Sequence, residues 1–591
     1  MPVKIEQDKY RMPLCPYLIV GNRRLLVHLD AYCVPQSLQW PRPGFPDRLS
    51  WRDPFDEWPY WEEMSMDAIR ARMPYFEYAD GSRDYLHDAK TVEAGYIEDT
   101  NVLEGRYELP GGTVVEITTF VPPQTDVWVR QFNVTGNGKL VLQGDFFEKA
   151  VRGHALVHMG NVNFRGAFDA IPRGVYVIMS TIPLTQHQSR VAVTVTGKTS
   201  WTLFMCMAPD IEKAAKLGEE ALRKGYETLK TETAAADRAW IARANKPVVR
   251  HPFIIKNYRR WLLANILHMA EEGAMSCGPR PFWGFAWPRD CSQQAAAFAA
   301  AGFIDEARKI VKWHIDNTPA SGVHEARYCT DRAPMLLDNR PAQGDNPGFL
   351  CWAASFVCRQ SWDRDWAEQI KDNLYLMAGR LVQSRDPETL LPLPSADYRE
   401  TKIAESAGIA VTAVAGLKGA AFIADRLGDP GRAGQFLARA KEIKLGARKH
   451  LWNEEKKYFM TSVKPFNDKA SIATCWGAYP FRAWDKNDPM FVQSVKRVYR
   501  DLWNRAAAGV LCSAGTPYES YWMYHAAILL LGASATGDRQ MEAEILASLE
   551  KNIPPQGIVP EQVSKATGIL WGCAPLPVAH ADLILYAYRK A

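Results

Sequence analysis

The first third of the chain carries the pattern of polar and apolar residues that is typical of β-strands. Residues 113–121, 127–134 and 190–196 alternate between apolar and polar side chains, as strands do when one face lies in the core. Turn residues at 135–138 (Thr-Gly-Asn-Gly) separate two such segments. Many short strands with few helical windows predict an antiparallel β-sandwich, which we assign to residues 1–210.

The pattern changes to a helical one after this segment. Residues 211–225 are rich in helix-forming and charged side chains, and we predict a helical linker over residues 211–251. From residue 252 to residue 591 helical periodicity dominates. Val414, Leu417 and Leu427 belong to one such repeat, which ends at Gly428.

Twelve helical windows are predicted in residues 252–591, and the connections between them are alternately short and long. This alternation favours six helical hairpins closed into an (α/α)6 barrel, with the long loops gathered at one rim. Counting helices does not by itself separate this fold from an α-solenoid. The windows lie near 257–272, 290–301, 303–317, 347–361, 364–384, 407–427, 430–452, 470–484, 489–507, 517–533, 538–552 and 577–590.

Composition and charge exclude several classes of function. The 591 residues carry 71 Lys and Arg against 66 Asp and Glu, and this net charge of +5 with no basic run makes nucleic acid an unlikely partner. The N-terminus has no apolar signal segment, and no stretch approaches the length that spans a membrane. The 11 cysteines form no C-x-x-C pair, which favours a reduced, cytoplasmic protein. His154 and His158 have i, i+4 spacing, but in a strand-rich region they do not predict a metal site.

A loop at residues 280–290 has the composition of a sugar-binding site. It contains Trp283, Phe285 and Trp287 and ends in the pair Arg289-Asp290 at the start of a predicted helix. Aromatic rings suit the apolar C–H faces of a sugar, and charged groups suit its hydroxyls. The alternative is that the aromatic residues pack in the core while Arg289 and Asp290 form an ion pair in which Asp290 caps the helix.

Two further predicted loops place carboxylates at the same rim. One covers residues 391–400, which include Tyr398 and Glu400, and the other covers residues 557–562, which include Glu561 and precede Trp571. Two carboxylates that face one cleft can divide acid and base work between them. Each glutamate taken singly is more often a solvated loop charge or a helix cap.

Together these loops resemble the glucoamylase family, glycoside hydrolase family 15. Residues 287–290 (Trp-Pro-Arg-Asp) resemble its W-x-R-D motif, and residues 560–562 (Pro-Glu-Gln) followed by 575–582 resemble its base motif. Residues 395–400 with 412–417 resemble the loop and helix of its general acid. Residues 21–27, with Trp40-Pro41, look like the N-terminal super-β-sandwich of prokaryotic members. The resemblance implies that Glu400 is the general acid, that Glu561 is the general base, and that Arg289 and Asp290 hold the terminal sugar.

The chain departs from the family pattern at the acid loop. The family has Trp-Glu-Glu where this chain has Arg399-Glu400-Thr401, and Glu405 is a rival for the acid because it lies three residues before Gly408. We expect Arg399 to make the site more positive and to favour a short α-glycoside with an anionic leaving group. The alternative is that Arg399 folds back onto Asp397.

The sequence therefore predicts an antiparallel β-sandwich followed by an (α/α)6 barrel, and an inverting, exo-acting glycoside hydrolase. The expected substrate is an oligosaccharide or small α-glycoside, with no cofactor, metal, nucleic acid or membrane involved. The proposed wall of the pocket consists of Trp283, Phe285, Trp287, Tyr398, Arg399 and Trp571. A glycoside phosphorylase, a polysaccharide lyase with a Tyr or His base and a non-catalytic sugar-binding protein remain alternatives. The oligomeric state is left open.

Overall fold

The structure of the protein is a computed structural model. It describes residues 3–4, 17–47, 70, 73–142, 150–152, 155–160, 174–187, 190–279, 283–332, 340–400, 402–504, 509–510, 520–564 and 570–589. His154, Thr401 and residues 280–282 lie outside this part of the chain, as does the side chain of Trp571.

Antiparallel strands form the N-terminal part of the molecule, as the alternating pattern predicts. The strands are β1 (Val3–Lys4), β2 (Leu18–Gly21), β3 (Leu26–Leu29), β4 (Pro35–Arg42), β5 (Phe45–Asp47), β6 (Tyr75–Glu77), β7 (Arg83–Tyr85), β8 (Thr91–Tyr96), β9 (Leu103–Glu108), β10 (Val114–Phe120), β11 (Val127–Val141), β12 (Ala150–Arg152), β13 (Ala155–Gly160), β14 (Gly174–Ser180), β15 (Thr185–His187) and β16 (Arg190–Ala208).

These strands make two sheets. The larger has twelve strands, in the order β1-β8-β9-β10-β11-β16-β14-β13-β12, with β6, β7 and β15 paired beside this path. The smaller has the order β2-β3-β4-β5. The turn predicted at residues 135–138 is wrong, because β11 runs through it with Thr135 opposite Lys198 and Gly138 opposite Val195. Pairing with the long strand β16 overrides the local turn preference of Gly-Asn-Gly.

The smaller sheet lies between the larger sheet and the helices, so β2 and β3 are buried along their whole length and β4 is buried over its first six residues. On one side the Tyr107 hydroxyl of the larger sheet donates to the Ala31 carbonyl at 3.2 Å. On the other side the rings of His28 and His268 lie 5.3 Å apart, and Arg23 donates to the Met269 carbonyl at 3.2 Å. The β-sandwich is therefore packed against the helical domain.

Thirteen α-helices lie in the described residues. They are α1 (Ile211–Lys224), α2 (Tyr226–Ile241), α3 (Pro252–Leu267), α4 (Pro288–Ala300), α5 (Ile304–Asp316), α6 (Asn346–Gln360), α7 (Arg364–Gln383), α8 (Ala407–Leu427), α9 (Pro430–Gly446), α10 (Pro489–Leu502), α11 (Met523–Thr536), α12 (Arg539–Asn552) and α13 (Pro577–Ala587). Short strands β17 (Trp452–Asn453), β18 (Tyr458–Ser462), β19 (Asn467–Ala470), β20 (Trp503–Asn504), β21 (Gly509–Val510), β22 (Ser520–Trp522), β23 (Gln562–Ser564) and β24 (Leu570–Trp571) lie between them.

Helices α3 to α13 form the barrel, with buried helices inside and amphipathic helices outside. The inner helices α4, α6, α8, α11 and α13 are buried on nearly all sides. The inner position between α9 and α10 is filled only by a short 3-10 helix, Ile472–Trp476. The long helix predicted at residues 470–484 is therefore wrong, since Gly477 and Pro480 interrupt it. The division at residues 210/211 and 251/252 stays a prediction.

The inner helices α6 and α8 approach each other closely at a point where each of them has a glycine. A Cβ on Gly416 of α8 would come within 2.6 Å of the Cα of Gly348 in α6, which explains the small residues along both helices. Helix α8 is also 21 residues long and apolar enough to cross a membrane by length and composition. The expectation that no stretch reaches this length was wrong. The helix is nevertheless 89% buried inside the barrel, where an apolar surface is required.

Candidate active site

The pair Arg289-Asp290 lies in the first turn of α4, at one rim of the barrel. Trp287 occupies the N-cap position and Pro288 follows it, so Asp290 stands in the first turn and makes no capping bond at the N-cap. The Arg289 guanidinium contacts the Asp290 carboxylate at 3.1 Å. It also donates to the Tyr398 carbonyl at 3.2 Å and to Glu400 Oε1 at 3.3 Å. Arg289 therefore joins the predicted sugar-binding motif to the loop of the predicted acid.

The three aromatic residues of this loop are buried, but one of them contacts a predicted catalytic group. The Trp287 indole donates from Nε1 to Glu400 Oε1 at 3.0 Å, and its ring packs edge-on against Phe285 at 6.2 Å. Trp283 is 7% exposed and packs over Gly278. Arg327, which the sequence analysis did not identify, lies over Phe285 at 4.6 Å and over Trp287 at 5.0 Å. These contacts fix the Trp287 ring beside Glu400.

The acid loop is built around the buried carboxylate of Asp397. Arg399 makes a two-pronged ion pair with it, with distances of 2.8 Å from Nε and 2.9 Å from Nη2. The Ser406 hydroxyl, which caps α8, donates to the same carboxylate at 2.6 Å. The Glu400 amide donates to the Asp397 carbonyl, and Glu400 adopts a positive φ of 65°. This turn directs Glu400 towards Arg289 while Arg399 folds back onto Asp397.

Glu405, the rival for the acid, faces other partners. Its side chain is fully buried, and Oε2 accepts a hydrogen bond from the Thr389 hydroxyl at 3.1 Å. Oε1 lies 3.6 Å from the ammonium of Lys464, which also pairs with Asp386 at 2.9 Å. Glu405 therefore belongs to an ionic cluster that links the acid loop to the loop following β18.

The base loop brings Glu561 into the barrel at the start of β23. The Glu561 amide donates to the Cys573 carbonyl at 2.7 Å, and the Glu561 carbonyl accepts from the Met523 amide at 2.9 Å. Gly572 lies directly beneath the carboxylate with a φ of 76°, and a Cβ at this position would overlap with Glu561. The Oε2 atom of Glu561 is buried and has no hydrogen-bond partner among the described residues. Within the described residues the hydrogen-bonding capacity of this carboxylate oxygen is thus unmet.

Burial raises the pKa of Glu561 to about 7, and the negative charge of Asp290 adds to the rise. Arg289 and Arg340 act in the opposite direction and lower it. Arg340 also forms an ion pair with Glu400. Both predicted catalytic glutamates are therefore within the electrostatic influence of the same two guanidinium groups. A carboxylate with a pKa near neutral pH is suited to proton transfer.

Two more buried carboxyl groups lie beside this pair. Asp345 lies at the N-cap position of α6 and is buried. Burial and the nearby charge of Asp397 raise the pKa of Asp345 to about 8, against the influence of Arg289. Burial also raises the pKa of Asp582 in α13 well above its usual range.

A polar network connects Asp582 to the rim. With the Gln293 amide oriented to satisfy both neighbours, its nitrogen donates to Asp582 at 2.6 Å and its oxygen accepts from the Tyr524 hydroxyl at 3.0 Å. The Trp476 indole faces Asp582 at 3.4 Å. Arg327, Arg340, Asp345 and this network were all missed by the sequence analysis. The sequence signal near Asp345 was Pro347 in the first turn of α6, which marks the start of a helix but not a functional site.

Within the described residues no group of three or more His, Cys, Asp or Glu side chains is arranged to hold a metal ion. The nine cysteines in this part of the chain are all buried.

Comparisons with known proteins place this site in a familiar fold. A bacterial glucoamylase solved in complex with acarbose superposes with a TM-score of 0.75 at 14% identity, over 97% of this chain and 94% of that one. A variant of a glycosidase superposes with a TM-score of 0.50 at 16% identity, over 57% of this chain and 96% of that one. The predicted combination of β-sandwich and (α/α)6 barrel, and the resemblance to glucoamylases, are confirmed at the level of the fold.

In sequence, an uncharacterized glycosyl hydrolase of Methanocaldococcus jannaschii is 21% identical over 356 residues. The match covers 56% of this chain, and the chain spans about half the length of that relative (55%). No protein-family model matches the chain.

Proposed function

We propose that the protein is a glycoside hydrolase that cleaves an α-glycosidic bond at the non-reducing end of a short saccharide, with inversion. The observation that carries this proposal is that Arg289 contacts Glu400 directly and also lowers the pKa of Glu561. Two carboxyl groups thus share a cationic partner that is itself paired with Asp290. Two carboxyl groups around one sugar site are the minimal machinery of glycoside hydrolysis.

The roles of the residues follow from their surroundings. Arg289 and Asp290, paired and largely buried, offer donors and an acceptor to the hydroxyls of the terminal sugar. Glu400 protonates the glycosidic oxygen. Glu561 removes a proton from a water on the opposite face of the sugar, and the absence of a hydrogen-bond partner for its Oε2 atom among the described residues supports this role.

The contacts of Glu400 set a condition on this assignment. Arg289, Arg340 and the Trp287 indole all meet its carboxyl group, and two adjacent cations favour the ionised form. A general acid must carry a proton when the bond breaks. In the proposed cycle the terminal sugar takes over donors of Arg289, and Glu400 accepts its proton in the enzyme–substrate complex.

The structure changes what we expect of the leaving group more than of any other part of the substrate. Arg399 is fully engaged by Asp397, which removes the reason for expecting an anionic leaving group. The proposed pocket wall then consists of Trp287, Phe285 and Tyr398, which suit neutral sugars. We therefore propose that the substrate is a short, neutral α-glycoside. We also propose that the protein is located in the cytoplasm.

The alternatives make different demands on the same residues. A lyase needs a tyrosine or histidine base, but burial raises the pKa of both Tyr398 and Tyr524, which opposes that role. A phosphorylase would bind phosphate where Glu561 stands. Phosphate-dependent turnover would reveal this second activity, and an unsaturated product absorbing in the ultraviolet would reveal a lyase.

The experiment that tests the proposal uses α-glucosyl fluoride beside an α-linked disaccharide. Fluoride departs without being protonated, so this substrate needs the base but not the acid. Glu400→Gln should lose about two or more powers of ten in kcat on the disaccharide and much less on the fluoride. Glu561→Gln should lose activity on both substrates. Equal losses of both variants on both substrates would contradict the division of roles.

A further inference from the structure

The loop that leads into Glu561 is held by a buried histidine. The Val559 amide donates to Nε2 of His580 at 2.9 Å, and Nδ1 of the same ring lies 2.8 Å from Oδ1 of Asn265. Because Nε2 accepts the amide proton, the ring proton must be on Nδ1, where it is donated to Asn265. The two hydrogen bonds therefore define one neutral tautomer of His580.

The rest of the arrangement supports this tautomer. Asn265 uses its Nδ2 group to donate to the Pro577 carbonyl at 3.0 Å, so its Oδ1 atom must face His580. Trp261, one turn earlier in α3, donates from Nε1 to the Gly557 carbonyl at 2.8 Å. Its ring also stacks on His580 with centroids 6.4 Å apart and planes inclined by 24°. Helices α3 and α13 thus clamp the loop at Gly557 and at Val559.

Val559 is two residues from Glu561, and the chain between them is short and tied at both ends. The Val559 carbonyl accepts from the Leu576 amide at 2.9 Å, and the Glu561 amide donates to the Cys573 carbonyl at 2.7 Å. A shift of the Val559 amide is therefore transmitted to the backbone of Glu561. We propose that His580 is a positioning residue that sets the location of the Glu561 carboxylate by accepting the Val559 amide.

This inference rests on the proposed role of Glu561 as the base. His580 itself has no proton to exchange with substrate, since both ring nitrogens are occupied by protein partners. Burial, together with the neighbouring His268 and Arg260, lowers the pKa of His580 well below its usual range. The ring stays neutral around neutral pH, which the Val559 hydrogen bond requires because an imidazolium has no acceptor.

Two substitutions of similar size separate positioning from packing. In His580→Gln the longer side chain carries an amide oxygen to the place of Nε2, where it can accept from Val559. In His580→Asn the shorter side chain reaches only the place of Nδ1, so the acceptor for Val559 is lost. Both variants remove the ring from its stack with Trp261 and should lose thermal stability, and His580→Asn should lose more because it also leaves the buried Val559 amide without an acceptor.

The activity is measured with α-glucosyl fluoride. We expect kcat of His580→Asn to fall by about 10- to 100-fold with KM little changed, because misplacing a reacting group by about 1 Å costs on that order. His580→Gln should recover most of this loss. Equal kcat values in the two variants, or a loss that lies in KM, would overturn the inference.

A second readout does not depend on activity. Hydrogen exchange of residues 557–561 should be faster in His580→Asn than in His580→Gln, since only the former frees the Val559 amide. Asn265→Ala removes the partner of His580 Nδ1 and provides another variant if His580→Asn does not fold. Like His580→Asn, it should lower kcat and make hydrogen exchange of residues 557–561 faster. If wild-type protein turns over no fluoride, the proposed function fails while the exchange contrast still tests the clamp. Equal hydrogen exchange of residues 557–561 in His580→Asn and His580→Gln would contradict the positioning role of His580.

Discussion

The backbone of Gly572 lies against the carboxylate of Glu561 so closely that no side chain fits between them. The glycine also has a φ of 76°, which other residues adopt only at a cost. The sequence between the base and α13 is thus constrained by the carboxylate that it must accommodate.

Substituting Gly572 tests whether this close approach places the base. In Gly572→Ala the new methyl group must push Glu561 aside, and we expect kcat to fall by about 10- to 100-fold while KM changes little. Gly537→Ala is the matched control, since Gly537 has a φ of 73° with no atom within 4 Å of the added Cβ. Both variants bear a comparable backbone strain, so a similar kcat in the two would show that the overlap has no catalytic effect.

The pKa of Glu561 predicts the acid side of the activity profile. A base must be ionised, so on α-glucosyl fluoride, which does not need the acid, kcat/KM should fall about tenfold per pH unit below about 7 and level off above it. Asp290→Asn removes a charge that raises the pKa of Glu561, so the acid limb should move to lower pH while the overall kcat/KM drops with weaker sugar binding. Asp305→Asn, at a side chain that is 81% exposed on α5, is the control. An acid limb that stays in place in Asp290→Asn would refute the electrostatic coupling.

Arg399 is expected to act on the acid loop rather than on substrate. Arg399→Ala leaves the buried Asp397 carboxylate without its two-pronged partner, so the melting temperature and kcat should both decrease. The ratio of kcat/KM for a neutral disaccharide to that for its uronic-acid-terminated counterpart should not change. A ratio that shifts towards the neutral substrate would show that Arg399 binds an anionic leaving group after all.

The buried carboxyl of Asp345 predicts how stability depends on pH. Its pKa is about 8 in the folded protein and about 3.9 in an unfolded chain, so between these values the folded state binds one more proton. This contribution to stability is complete below about pH 4 and is lost as the pH rises to about 8.

An Asp345→Asn variant does not titrate at this position. Its free energy of unfolding relative to wild type should therefore increase with pH by up to about 1.4 kcal/mol per unit over this range. Denaturant unfolding at several pH values measures the difference, with Asp305→Asn as the control. A difference that is independent of pH would mean that Asp345 is ionised in the folded protein.

The fold was largely predictable because its signals are local. The repeat of Val414, Leu417 and Leu427 with the stop at Gly428 predicted a helix over residues 407–427, and α8 has these bounds. The alternating segments at residues 113–121 and 127–134 also predicted strands, and β10 and β11 pair there, with Phe120 opposite Val129. The turn at residues 135–138 failed because pairing between distant strands outweighed a local preference.

The site was only partly predictable, because it is assembled from separate loops. Arg289, Asp290 and Glu561 lie in short motifs that resemble the glucoamylase family when they are taken together. Arg327, Arg340 and Asp345 belong to no such motif, and they reach the site only because the barrel closes. The assignment of roles to Glu400 and Glu561 stays a prediction.

The stereochemistry of the first product tests the central claim most directly. If Glu561 activates a water opposite the leaving group, proton NMR of α-glucosyl fluoride during turnover should show β-glucose first, with the α-anomer appearing only through slow mutarotation. The Glu561→Gln variant should form neither anomer above background. Initial release of α-glucose would show retention and contradict the account, and absence of any turnover by wild-type protein on this substrate and on a panel of α-linked disaccharides would contradict the proposed activity itself.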